Sequence, residues 1–135
     1  MAALEGLDYF VPNESEAEAI TGAGVKTTED AKRCAEKLMD SGVRRVIITL
    51  GANGSLLASR DGTEHVAPFA VQSIDSTGAG DAFIGSFAVF LGEGVQETEA
   101  VRRANLYAAL STTGVGTQRS FYDRARFDAE WSKRK

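Results

Sequence analysis

Apolar and polar positions alternate along this chain in segments of two kinds, short continuous apolar runs and longer runs with helical spacing. Tyr9-Phe10-Val11 reads as a short buried strand stopped by Pro12, and residues 13–20 as a helix. Between residues 28 and 40 the apolar positions Ala31, Cys34, Ala35, Leu38 and Met39 recur at i, i+3, i+4, i+7 and i+8, which predicts an amphipathic helix. Thr27 or Thr28 can cap it, with Glu29 and Asp30 in its first turn and Gly42 at its end. Arg45 to Leu50 holds the β-branched run Val46-Ile47-Ile48, the pattern of a strand covered on both faces. Residues 54–59 and 63–67 read as two strands of a meander joined by a turn at Arg60-Asp61-Gly62, and residues 71–74 as a further short strand. A nearly all-apolar helix is expected from about Gly80 to Leu91, a break at Gly92-Glu93-Gly94, and a helix over residues 97–111. Residues 112–120 read as a glycine-rich loop, and Phe121, Tyr122, Phe127 and Trp131 as packing a last helical turn. The strand–helix–strand order predicts an α/β sandwich with a mostly parallel sheet, its ligand loops at the carboxyl ends of the strands.

Composition narrows the function classes. A chain of 135 residues suits one domain, and its net charge of −4 disfavours a general nucleic-acid or membrane surface. The basic end Lys133-Arg134-Lys135 reads as a solvated terminus. With no signal peptide or apolar run of spanning length, the expected location is cytoplasmic. One cysteine, Cys34, excludes an internal disulfide and lies on a core face; one histidine, His65, excludes a His-rich metal site within one chain.

The densest chemical signal is Asp75-Ser76-Thr77-Gly78-Ala79-Gly80-Asp81-Ala82-Phe83. A glycine-rich turn feeding a helix start offers unbonded backbone N–H groups and the positive end of the helix dipole, which suits phosphate. A carboxylate at such a place is costly unless it has a task, and deprotonating an attacking hydroxyl is one. The same residues also fit an ordinary loop with an acid in the first helical turn. Other phosphate motifs fit worse: a dinucleotide fingerprint needs glycine where Phe83 stands, and a P-loop read from Gly80 reaches Gly85-Ser86 with no lysine between them. A second Thr-Gly-Ala-Gly, at residues 21–24, is followed by Val25 rather than an acid and reads as a helix stop with a left-handed glycine.

This nine-residue run closely resembles the signature of the ribokinase-like, PfkB-type carbohydrate kinases. The resemblance implies Asp81 as catalytic base and the amides of Gly78, Ala79, Gly80 and Asp81 as an anion hole for the transferred phosphoryl group. Asn13-Glu14-Ser15-Glu16 is a capping box by its residues and also resembles the family's N-x-x-E element, where the Glu helps hold Mg²⁺ through water and the Asn faces the phosphates. Thr49-Leu50-Gly51-Ala52-Asn53-Gly54 is a turn by its residues and resembles the family's T-L-G-x-x-G, implying Thr49, Gly51 and Gly54 at the nucleotide. Residues 105–120 resemble the segment from an adenine-side Asn to a monovalent-cation loop. That implies Asn105 near the base and Asp75, Thr77, Ser111, Gly114, Gly116 and Ser120 around K⁺; Gly114-Val115 stands where the family often has basic residues.

Four elements in the family's order cover nearly the whole chain. They imply a three-layer α/β/α sandwich of ribokinase-like type, in which residues 1–135 are the nucleotide-binding and catalytic C-terminal part, with ATP, Mg²⁺ and K⁺ as cofactors. The lid strands and sugar-gripping residues of the family's first half are not found in the sequence. The expected partners are therefore ATP and a small sugar, with a homo-oligomer or a complementing N-terminal half completing the sheet. Two functions stay open: phosphoryl transfer to a sugar hydroxyl, and nucleotide binding or assembly without catalysis. Ribose and fructose are the sugars the motifs suggest, and a related kinase acting on a nucleoside or hydroxymethyl-pyrimidine is a third possibility.

Overall fold

The computed structural model describes residues 8–22, 24–69, 79–111 and 124–134. They fall into two compact units, Met1–Ala67 and Pro68–Lys135.

The first unit holds β1 (Tyr9–Phe10), α1 (Glu14–Thr21), α2 (Thr28–Asp40), β2 (Arg45–Thr49), a 3₁₀ turn (Gly51–Asn53), β3 (Ser55–Ser59) and β4 (Gly62–Val66). The strands form one sheet in the order β1-β2-β3-β4. β1 runs parallel to β2, with Phe10 opposite Val46; β2–β3 and β3–β4 are antiparallel, with Ile47 opposite Leu57 and Leu57 opposite Glu64. The described sheet is therefore mixed rather than mostly parallel. The connections decide this. A parallel pair needs a crossover of a dozen residues or more, which α1 and α2 supply between β1 and β2, whereas residues 50–54 and 60–61 are too short for anything but reversals.

Both helices begin on side-chain caps. Thr27 Oγ1 accepts the Asp30 amide at 3.1 Å. The Arg33 guanidinium, 2.8 Å from Asp30, and the Lys26 amide hold the Asp30 carboxyl below the usual carboxylate range. A lowered value makes this contribution present at neutral pH and lost as acid protonates the folded carboxyl. α1 ends at Gly22, whose φ of 74° lets its amide close on Glu18 O at 2.8 Å; the first Thr-Gly-Ala-Gly thus contains a helix stop.

The stripe Ala31, Cys34, Ala35, Leu38 and Met39 is buried, as its spacing predicts, against Val46, Ile48, Leu56 and Ala58 of the sheet. Ile47 and Leu57 occupy the alternate positions and are buried too, so the run Val46-Ile47-Ile48 is solvent-free on both sides. Cys34 Sγ lies 3.2 Å from Thr21 Oγ1, inside this core.

The second unit holds α3 (Ala79–Gly92), α4 (Glu97–Ser111) and α5 (Arg124–Arg134). α3 is apolar all round yet buried along one face, Ala82, Phe83, Ser86, Phe87 and Phe90, while Ile84 and Val89 are about half exposed. Buried Ser86 satisfies its hydroxyl by donating to Ala82 O at 2.7 Å. The break falls at Gly94, with φ of 89°. The chain's end carries three turns of helix rather than one. Phe127 of α5 is fully buried, its ring 5.3 Å from Phe90, 5.6 Å from Tyr107 and 6.4 Å from Trp131, and Arg103 lies 5.1 Å from the Trp131 ring. The strand expected at residues 71–74, the loop at 112–120, and Phe121 and Tyr122 lie outside the described residues.

Leu38 is fully buried between α2 and the sheet. Leu38→Ala is expected to destabilise the chain by about 2–5 kcal/mol in urea unfolding; a loss below about 1 kcal/mol would show that α2 does not anchor this core.

Candidate functional site

The parallel pair β1–β2 sets the geometry of the first unit's candidate site. The Thr49 amide donates to Pro12 O at 3.0 Å, and Asn13 and Thr49 form an isolated parallel bridge. The ladder thus continues just past β1, bringing the head of α1 beside the end of β2. Asn13 and Thr49, far apart in sequence, become neighbours at the carboxyl ends of two parallel strands.

At this end Asn13 Oδ1 accepts the Glu16 amide at 2.8 Å, and Glu16 Oε1 accepts the Asn13 amide at 2.9 Å. The reciprocal capping box is complete. It orients the exposed Glu16 carboxylate while engaging one of its two oxygens, and a carboxylate offers about four lone-pair sites. Among the described residues no cluster of three or more His, Cys, Asp or Glu could hold a metal. A single exposed carboxylate suits a cation that keeps most of its waters, as Mg²⁺ does.

After Thr49 the chain turns through residues 50–54. The Leu50 amide donates to Gly54 O at 2.8 Å, Asn53 to Leu50 O at 3.0 Å, and Gly54 to Gly51 O at 3.2 Å. Gly51 has φ of 58° and Gly54 φ of 90° with ψ of −133°, conformations a side chain would strain. A Cβ on Gly51 would meet nothing within 4 Å, so backbone conformation rather than packing calls for glycine there. One contact of this turn was not anticipated. His65 Nε2, on β4, lies 2.7 Å from Asn53 O. The signal that could have found it is the hairpin register, which sets His65 opposite Leu56, just beyond the turn.

In the second unit Ala79, Gly80 and Asp81 open α3. Gly80 and Asp81 are exposed, and a Cβ on Gly80 would meet no atom within 4 Å. Such an open helix start leaves room for an anion at the backbone. Asn105 is buried within α4. Ser111 ends α4, its hydroxyl donating to Ala108 O at 2.6 Å. Gly78 of the turn, and Asp75, Thr77, Gly114, Gly116 and Ser120 of the expected cation loop, lie outside the described residues. The structure therefore joins Asn13, Glu16, Thr49, Gly51 and Gly54 at one end of the first sheet, and places Ala79, Gly80 and Asp81 at one helix start in the second unit.

Residues 1–124 match the family described as pfkB family carbohydrate kinase. The chain is similar to the deoxyribokinase of Salmonella typhi, 42% identical over 121 residues that cover 90% of this chain and 40% of that protein. Among solved structures it is similar to a ribokinase from Thermotoga maritima, with a TM-score of 0.84 and 39% identity over 93% of this chain and 42% of that one. It is likewise similar to Arabidopsis thaliana ribokinase, solved with ribose and ATP, with a TM-score of 0.86 and 33% identity over 93% of this chain and 41% of that one. The fold is thus ribokinase-like α/β, and the chain spans about two fifths of the length of these relatives.

The capping box makes a stability prediction independent of any ligand. Asn13→Ala is expected to cost about 1 kcal/mol in chemical denaturation. Glu16→Gln keeps an acceptor at the same position and should cost only a few tenths; equal losses for the two would contradict the observed division of labour.

Proposed function

The chain belongs to the pfkB family of carbohydrate kinases, and from that membership we propose that it supplies the nucleotide-side and phosphoryl-transfer part of an ATP-dependent sugar kinase. The observation that carries the proposal is Asp81, an exposed carboxylate in the first turn of α3 directly after a small-residue helix start. Asp81 takes the proton of the attacking sugar hydroxyl as its oxygen closes on the γ-phosphorus. The amides of Gly78, Ala79, Gly80 and Asp81 take up the charge on the transferred group.

In the first unit Thr49, Gly51, Gly54 and Asn13 face the phosphates, and Glu16 holds Mg²⁺ through water. When bound, Mg²⁺ neutralises phosphate charge. The complete capping box supports this role for Glu16, because a carboxylate already held by its own helix start needs no reordering to receive a hydrated cation. Asn105 lies on the adenine side, and Asp75, Thr77, Ser111, Gly114, Gly116 and Ser120 surround K⁺. The acceptor is a small sugar of the pentose or hexose class. Arabidopsis ribokinase, structurally similar to this chain, was solved with ribose and ATP. No helix among the described residues is long and apolar enough to cross a membrane. We place the enzyme in the cytoplasm, where ATP is available.

A second reading is nucleotide binding without turnover by these 135 residues alone, with a second copy or a complementing half completing the sugar site. The chain's share of its relatives, about two fifths, favours keeping it.

ADP release with Mg·ATP, K⁺ and a panel of pentoses and hexoses separates the two. Turnover on one sugar, with Asp81→Asn reducing kcat at least a thousandfold and leaving ATP affinity nearly unchanged, is the expected result. Retained turnover in Asp81→Asn would sink the assignment of the base. ATP binding with no turnover on any sugar would select the second reading.

A further inference from the structure

The turn over residues 50–54 is closed by three backbone hydrogen bonds, all within five residues. Such bonds fix the turn's shape but not its tilt against the sheet. Two of its residues, Gly51 and Gly54, lie at positive φ, where glycine has more alternative conformations to escape to than any other residue. A turn of this kind needs an outside anchor to present its peptide groups in one orientation.

His65 supplies one. Its Nε2 lies 2.7 Å from the Asn53 carbonyl oxygen. A carbonyl can only accept, so Nε2 carries the proton. The contact spans twelve residues and ties the turn to β4. β4 is itself pinned to β3 by the register Ser55 with Val66 and Leu56 with His65. The anchor is thus rigid: the strand that leaves the turn, the strand that carries the histidine and the turn itself form a closed frame.

We infer that His65 is a positioning residue for nucleotide binding: by holding the Asn53 carbonyl it fixes the tilt of the Gly51–Gly54 turn beside Thr49. The inference rests on reading this turn as the phosphate-side loop. His65 touches no phosphate in this scheme and acts through the backbone it holds. The ring is exposed, so the bond competes with water and its effect is modest.

The test compares the wild-type chain with His65→Ala and His65→Gln, whose amide nitrogen can donate from nearly the same place as Nε2. Mg·ATP affinity is measured by calorimetry, exchange of the Asn53 and Gly54 amides by hydrogen–deuterium exchange without nucleotide, and stability by the urea midpoint. Expected are an ATP Kd about three- to tenfold weaker and faster turn exchange in His65→Ala. His65→Gln should return both towards wild type, and the urea midpoint should not track the change in affinity. Wild-type binding with His65→Ala unchanged overturns the inference and leaves the nucleotide reading standing. Failure of His65→Gln to rescue also overturns it, because the hydrogen bond is then not what acts. No binding of Mg·ATP by the wild-type chain removes both readings together.

Discussion

The first unit's site depends on one backbone bond, the Thr49 amide to the Pro12 carbonyl. It continues the parallel pairing of β1 and β2 past the point where β1 ends as a strand. Pro12 cannot donate to a ladder, but its carbonyl can accept, and that asymmetry suits the last position of a strand. Because the bond exists, the cap of α1 and the turn after β2 lie side by side. Without it the capping box would still form, and so would the turn, but they would be unrelated local structures. Parallel pairing also demands the long crossover, and the crossover brings α1 and α2 onto the sheet. The core of Leu38, Val46, Ile48 and Leu56 follows from that connection.

Apolar and polar demands are kept apart along this axis. In β2, Val46, Ile47 and Ile48 are fully buried, and the exposure begins at Thr49. Two residues later the chain needs positive φ and uses Gly51. The strand's apolar run therefore ends where backbone and hydroxyl groups become available. Burying the three β-branched residues and Leu50 holds the strand's end in place, while Gly51 and Asn53 of the turn stay exposed. The same division appears at α3, whose aromatic face is packed and whose first turn is open.

Much of this was legible in the residues. The i, i+3, i+4, i+7, i+8 stripe of α2 fixed its buried face, because helical period and burial follow from the same geometry. Asn13 and Glu16 announced a capping box, and both of its bonds are present. The helix stop at Gly22 was equally readable, because the glycine follows a helical stretch, and Val25 stands where the other Thr-Gly-Ala-Gly is followed by Asp81. The meander of residues 54–59 and 63–67 was readable from its turn, and the two strands are antiparallel. The strand–helix–strand opening gives the parallel pair β1–β2, but the short connections after β2 impose reversal, so the described sheet is mixed rather than mostly parallel. The all-apolar pattern of α3 likewise could not say which face would be covered, and Ile84 and Val89 are left half exposed. The contact between His65 and Asn53 depends on hairpin register, which a lone histidine in a polar strand does not reveal.

The two readings of Asn13-x-x-Glu16, cap and ligand holder, do not compete. A capping bond takes one oxygen of Glu16 and sets the orientation of the carboxylate as a whole. The conformational entropy that a free Glu would lose on meeting a cation is lost already on folding, when the helix start forms. In the proposed role, the contact that stabilises the helix would also hold the carboxylate ready for a hydrated cation. An Asp at this position would be one methylene shorter and a Gln would lack the charge, so Glu at N3 is the residue that would meet both demands.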